Sequence, residues 1–231
     1  MHRLRQWVTA TSVVILAIGS GPDRLAGQAT PPVDTGTAAP LAPDSIALRL
    51  LVDVRAGDST ILVDARYAGV ENFTGAVLPG YQANKALLRR EAAAALARVE
   101  RRLASEGLGL KVFDGYRPVR ATLAMAAWAR RTNQVHLLSE GYIAIHSRHN
   151  LGIAVDLTLV NRVTGLELDM GTPFDTFSEA AHTANAEGRV RVYRTMLVRA
   201  MEAEGFRNYE REWWHFSFPI EEPVAFDVPV R

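Results

Sequence analysis

The sequence predicts an α+β domain built as a small central antiparallel sheet flanked by helices. Two long helical periodicities, several short strand-like runs, and the lack of a regular strand-helix alternation predict it. Regular alternation would instead point to a doubly wound parallel sheet.

The elements follow in chain order. Met1 to Gln6 carries His2, Arg3 and Arg5, and Trp7 to Gly19 is an apolar run, together the basic start and apolar stretch of a secretory signal. The run falls short of the ~20 residues that a membrane-spanning helix needs. Residues 1–29 are therefore expected to be removed on export, with cleavage among the small residues at Ala26 to Ala29. The mature protein is then secreted, into the periplasm or beyond, with no membrane span; a retained anchor is the competing reading. Residues 30–44, rich in Pro, Ala and Thr, read as an extended linker. Residues 45–231 read as one domain, a length within reach of the ~100 to 200 residues usual for a single core.

Leu48 to Val54 and Thr60 to Tyr67 read as two short strands around Gly57-Asp58. Asn84 to Glu106 is the clearest helix, with Leu88, Ala92, Ala95, Leu96, Val99 and Leu103 at helical spacing and Gly107 as its stop. Leu110 to Phe113 is a strand, and Pro118 opens a helix to about Arg131, which puts Gly115-Tyr116-Arg117 at the junction. Ile153 to Val160 is strand-like, Ala186 to Glu204 is helical with Gly205 as its stop, and Trp213 to Phe218 is the last strand.

Composition excludes some functions. Apolar residues make up 48% and charged residues 22%, enough to build a core. Lys plus Arg number 26 against 25 Asp plus Glu, so no surplus charge is available to grip a nucleic acid or an anionic membrane. There is no cysteine, so a metal site must be made from His, Asp or Glu.

Three segments carry candidate chemistry. Ser147 to Asp156 places His149 before Asp156 in a run otherwise suited to burial, and a buried carboxylate needs a partner. Their odd separation would put them on opposite faces of one strand, but Gly152 lets the chain turn so that His149 folds back over Asp156. A structural histidine with a capping aspartate is the alternative for this segment alone. Glu212-Trp213-Trp214-His215-Phe216-Ser217-Phe218 supplies a second imidazole, sharing a strand face with Trp213 and Ser217 while Trp214, Phe216 and Phe218 face the core. His149, Asp156 and His215 form a three-ligand set of the kind that catalytic zinc uses, one Zn2+ per chain. Glu212 is placed to take a proton from water there, its alternative being an exposed charge before a strand. Arg117 offers an always-charged fork of donors for a developing oxyanion; taken alone, it also suits an ordinary ion pair. His146 competes with His149 only if that stretch is helical, and nothing is assigned to His136 or His182.

Ser147-x-His149-x-x-Gly152-x-Ala154-x-Asp156 followed by Glu212-x-x-His215 resembles the paired signature of a zinc peptidase superfamily that holds D-alanyl-D-alanine dipeptidases, D,D-carboxypeptidases and the metal site of hedgehog signalling domains. The vancomycin-resistance type of dipeptidase is the branch most similar. The likeness extends through Tyr67, Asn72-Phe73-Thr74-Gly75, Gly115-Tyr116-Arg117-Pro118, Met170-Gly171, Phe174-Asp175 and Phe226 to Val230. It implies zinc at His149, Asp156 and His215, Glu212 as base, and Arg117 stabilising the transition state. It further implies Ser147 and Asp175 as substrate-binding residues, Asp175 at the free amino group of a small dipeptide. A carboxylate at a pocket edge suits an ammonium, and Asp169 is a neighbouring candidate. The export signal, the Pro-rich leader and the Asn150-Leu151 pair depart from the familiar resistance enzymes. The function expected is hydrolysis of free dipeptides such as D-alanyl-D-alanine. A D,D-carboxypeptidase or peptidoglycan endopeptidase is the first alternative, and a non-catalytic zinc-containing binding protein the second.

Overall fold

In the computed structural model, residues 39–221 and 223–231 are described. The expected signal at 1–29 and most of the expected linker lie outside the described residues. Helix α1 (Asp44–Leu50) follows Pro43, with Asp44 in its first turn and Arg49 in its last, so both charges complement the helix dipole. That helix takes up Leu48 to Leu50, read from sequence as strand; only Leu51–Asp53 (β1) is extended. A short apolar run does not separate the two periods, and here the Pro-Asp start decided.

Strand β2 is only Leu62–Val63, and the chain then enters a 3-10 turn at Arg66–Ala68. The Asn84 side chain ends the strand early, accepting from Ala65 N–H at 2.8 Å and donating to Val63 O at 3.2 Å. Strand β3 (Leu87–Arg89) pairs antiparallel with β1 and replaces the first turn of the expected helix; α2 (Arg90–Ala104) continues it. Ala92, Ala95, Leu96, Val99 and Leu103 of α2 are all buried, and Gly107, at φ +72, reverses the chain. Then come β4 (Leu108–Asp114), α3 (Val119–Arg131), the short α4 (His136–Ser139), β5 (Ala154–Asn161), α5 (Gly188–Glu202), β6 (Arg207–Asn208) and β7 (His215–Ser217).

The main sheet has the order β2-β4-β5-β7-β6, flanked by helices in the α+β manner. It is mixed and not wholly antiparallel, because β2 runs parallel to β4. The connection between them passes through β3 and α2, long enough for the crossover that parallel neighbours require. β5 is buried along Ala154 to Val160, with α2 and α5 contributing to the same apolar core. α1, α3, α4 and the C-terminal tail from Phe226 to Val230 build a second cluster. No helix among the described residues is long and apolar enough to cross a membrane.

Register positions the site. Asp114 lies opposite Asp156, and Asp156 opposite His215, so three polar residues line up across β4, β5 and β7. A bulge between Val112 and Asp114 re-aims the end of β4 at this row.

Candidate metal centre

His149 reaches the row from a turn. Residues Arg148–Leu151 form a 3-10 turn whose start is capped by Ser147 Oγ, accepting from His149 N–H at 3.3 Å, and by Asn150 Oδ1, accepting from Ser147 N–H at 3.1 Å. Gly152 ends it at φ +68, and a Cβ there would lie 2.5 Å from Leu51 Cδ2, so both conformation and space call for glycine. Asn150 Nδ2 donates to Arg117 O at 2.9 Å and Thr122 Oγ1 at 2.8 Å, and Phe226 N–H donates to Asn150 O at 2.9 Å. The turn is thus tied to α3 and to the tail.

His149 Nδ1 donates to Gly115 O at 2.7 Å, which leaves Nε2 as the bare nitrogen turned inward. Nε2 lies 3.2 Å from His215 Nδ1 and 3.3 Å from Asp156 Oδ2, and His215 Nδ1 lies 2.9 Å from Asp156 Oδ1. Tetrahedral ligands at the usual zinc bond lengths stand about 3.3 Å from one another, and one ligand atom from each of the three residues lies within 4.8 Å of the other two, close enough to share such an ion. Burial alone would raise the Asp156 pKa, but the charges and hydrogen bonds of His149 and His215 hold it below the ordinary carboxylate range. For His215, burial pushes the pKa down against the pull of Asp156, favouring the neutral imidazole that a metal requires.

Around the three donors stand further ionisable side chains. Arg117, 9% exposed, gives its Nε and Nη2 to Asp114 Oδ2, each at 2.9 Å, and Nη2 lies 3.7 Å from Asp156 Oδ2. Burial lowers the Arg117 pKa, but the anionic neighbours, Asp114 foremost, raise it overall, so it stays charged. Glu212 is buried with its Oε2 3.9 Å from His215 Nδ1, and burial plus the charges of Asp156 and Asp175 push its pKa well up. Asp175, half-buried in the left-handed region at φ 60, accepts from Tyr67 Oη at 3.0 and 3.1 Å. Burial and Asp156 raise its pKa well above the usual value, against the opposing pull of Arg117 and Tyr67.

A family model described as D-ala-D-ala dipeptidase matches residues 49–229. The chain belongs to the D-alanyl-D-alanine dipeptidase family. It is an enzyme of the dipeptidase type. It is 36% identical over 187 residues to a D-alanyl-D-alanine dipeptidase of Enterococcus faecium, covering 73% of this chain and 92% of that one. A D-alanyl-D-alanine dipeptidase of Streptomyces coelicolor is 35% identical over 190 residues, covering 74% and 94%, and one of Escherichia coli 31% identical over 171 residues, covering 73% and 84%.

Within this dipeptidase fold the residues singled out from sequence separate into groups. His149, Asp156, His215, Arg117 and Glu212 come together, and Asp175 reaches the same neighbourhood beside Tyr67. Ser147 is half-exposed, and its hydroxyl oxygen accepts the capping bond from His149 N–H. Asp169 is exposed and accepts from Gly171 N–H, and His146 is exposed. Trp213 is buried in the turn before β7, where strand alternation had placed it beside His215; its Nε1 donates to Thr172 Oγ1 at 2.8 Å. Asp114 belongs to the site although the sequence motifs gave it no role. At 1% exposed it accepts from Arg117 and from Tyr81 Oη at 2.5 Å, and lies 3.4 Å from His149 Nδ1. A signal was there: a carboxylate ending the strand-like run Leu110 to Phe113, with Val112 and Phe113 just before it, needs a partner for the same reason as Asp156.

Proposed function

We propose that this chain hydrolyses free D-alanyl-D-alanine with one zinc ion held by His149, Asp156 and His215, and with Glu212 as the general base. The observation that carries the reading is the convergence of three metal-type donors beside the buried carboxylate of Glu212. Zinc, when bound, would lower the pKa of a water and polarise the scissile carbonyl. Glu212, whose Oε2 lies 3.9 Å from His215 Nδ1, takes the proton of the attacking water and passes it to the departing amine. Arg117, held on one edge by Asp114, keeps further N–H groups for the oxyanion. Asp175 accepts the ammonium of the free dipeptide, whose charge relieves the cost of ionising this carboxylate. Ser147 completes the substrate's surroundings from the edge of the His149 turn.

The test is metal content by elemental analysis together with alanine release from D-Ala-D-Ala, L-Ala-L-Ala, N-acetyl-D-Ala-D-Ala and a cell-wall pentapeptide. Zinc near one per chain and preference for the free D,D-dipeptide support the reading. Activity in metal-free protein overturns the centre, and preference for the blocked or longer peptide moves the protein to the carboxypeptidase reading.

Export is proposed on the basic start and apolar run of residues 1–29. Cell fractionation with N-terminal sequencing tests it; a cytoplasmic product beginning at Met1 overturns it.

A further inference from the structure

Arg194, in α5, is 2% exposed and pairs with no carboxylate among the described residues. Its Nε donates to Met170 O at 2.9 Å, Nη1 to His182 O at 2.7 Å and Asn185 O at 3.3 Å, and Nη2 to Ala180 O at 3.0 Å. Burying a guanidinium against carbonyls alone is costly, and desolvation draws its pKa below the usual arginine value. An apolar side chain would fill the same space in the helix more cheaply. What the charge adds is four main-chain bonds, and all of them go to the loop between β5 and α5. Met170 lies on one side of Asp175, and Ala180, His182 and Asn185 on the other. One planar group therefore draws together the two ends of the loop whose middle carries Asp175.

The same loop is fastened to the segment bearing Glu212. Trp213 N–H donates to Ala181 O at 3.1 Å, Trp213 Nε1 to Thr172 Oγ1 at 2.8 Å, and Thr183 N–H to Glu210 O at 2.8 Å. Gly171, at φ +86, seats the start of the loop on α5, where a Cβ would lie 2.8 Å from Val190 Cγ1 and 3.3 Å from Arg194 Nη2. We infer that Arg194 is a positioning residue for recognition of the substrate amine: by closing the 170–185 loop it sets the separation of Asp175 from Glu212, without touching substrate itself. The inference rests on Asp175 as the ammonium acceptor.

The experiment compares Arg194→Lys, Arg194→Met, Gly171→Ala and Asp175→Asn as zinc-loaded full chains. It measures kcat and KM on D-Ala-D-Ala and on N-acetyl-D-Ala-D-Ala, with amide hydrogen exchange along the chain. Misplacing a binding group by about 1 Å can cost roughly 100-fold. The Arg194 variants should therefore raise KM for the free dipeptide by roughly 10- to 100-fold, with a smaller change in kcat and little change on the acetylated substrate. Exchange should rise in 171–185 while β5 and α2 stay protected, and adding Asp175→Asn should cost little more, because both act through one contact. Lysine keeps the charge but cannot span four carbonyls, so it should not rescue. Equal losses on both substrates, a loss confined to kcat, or exchange raised throughout the chain overturns the positioning role. If Asp175→Asn changes the preference for the free amine and the Arg194 variants do not, the positioning role alone falls. If Asp175→Asn leaves that preference intact, the ammonium reading falls and takes the inference with it. Should Arg194→Met fail to fold, Arg194→Lys and Gly171→Ala decide.

Discussion

Removing Asp114 should damage stability and metal affinity together. Its carboxylate takes Arg117 Nε and Nη2 at 2.9 Å and Tyr81 Oη at 2.5 Å, and all three residues are buried. Asp114→Ala leaves a buried guanidinium without its main anion, and breaking such a pair costs about 3 to 5 kcal/mol. The only other acid within 4 Å of Arg117 among the described residues is Asp156, 3.7 Å away, so the freed guanidinium turns toward a metal ligand and competes for it. Loss of a supporting partner of this kind lowers metal affinity by roughly 10- to 100-fold. Asp114→Asn keeps the shape and the Tyr81 bond but loses the charge, and should fall between the parent and alanine. Urea unfolding of metal-free protein reads the first effect and competition with a zinc chelator the second. An alanine variant within about 1 kcal/mol of the parent, with unchanged zinc affinity, would refute the reasoning.

Glu212→Gln should keep its zinc while turnover drops by roughly 10² to 10⁴, the scale of a lost general base, whereas His215→Ala should lose the metal itself; elemental analysis beside steady-state rates separates the two. The pKa of Asp175 is raised on folding, so in metal-free protein the folded chain holds a proton that the unfolded chain gives up near pH 4. Its contribution to stability is therefore best below that pH and falls as the pH rises toward neutrality. Asp175→Asn should accordingly raise the Tm of metal-free protein more at pH 7 than at pH 4, and an equal shift at both would contradict this. Gly152→Ala introduces a Cβ 2.5 Å from Leu51 Cδ2 at φ +68, so it should displace the His149 turn and weaken zinc binding more than it changes far-ultraviolet circular dichroism.

The sequence by itself determined much of this protein. Helical spacing from Ala92 to Leu103 marked the buried face of α2, because a 3.6-residue period is a local property of the chain. The turn at Gly152 was legible because glycine before a buried run marks where the backbone can reverse. The candidate ligands were legible because carboxylates and imidazoles in apolar runs need partners. Tertiary structure decided the rest. Leu87 to Arg89 became strand because a short apolar run fits either period until a partner, here β1, chooses. β2 lies parallel to β4 because the long connection through α2 returns the chain on that side. Asp114, Asp156 and His215 stand in one row only through the register of three strands distant in sequence. In the sequence Arg194 is one of four arginines along α5. Its burial against four carbonyls depends on where a loop folds over α5, and no local spacing encodes that.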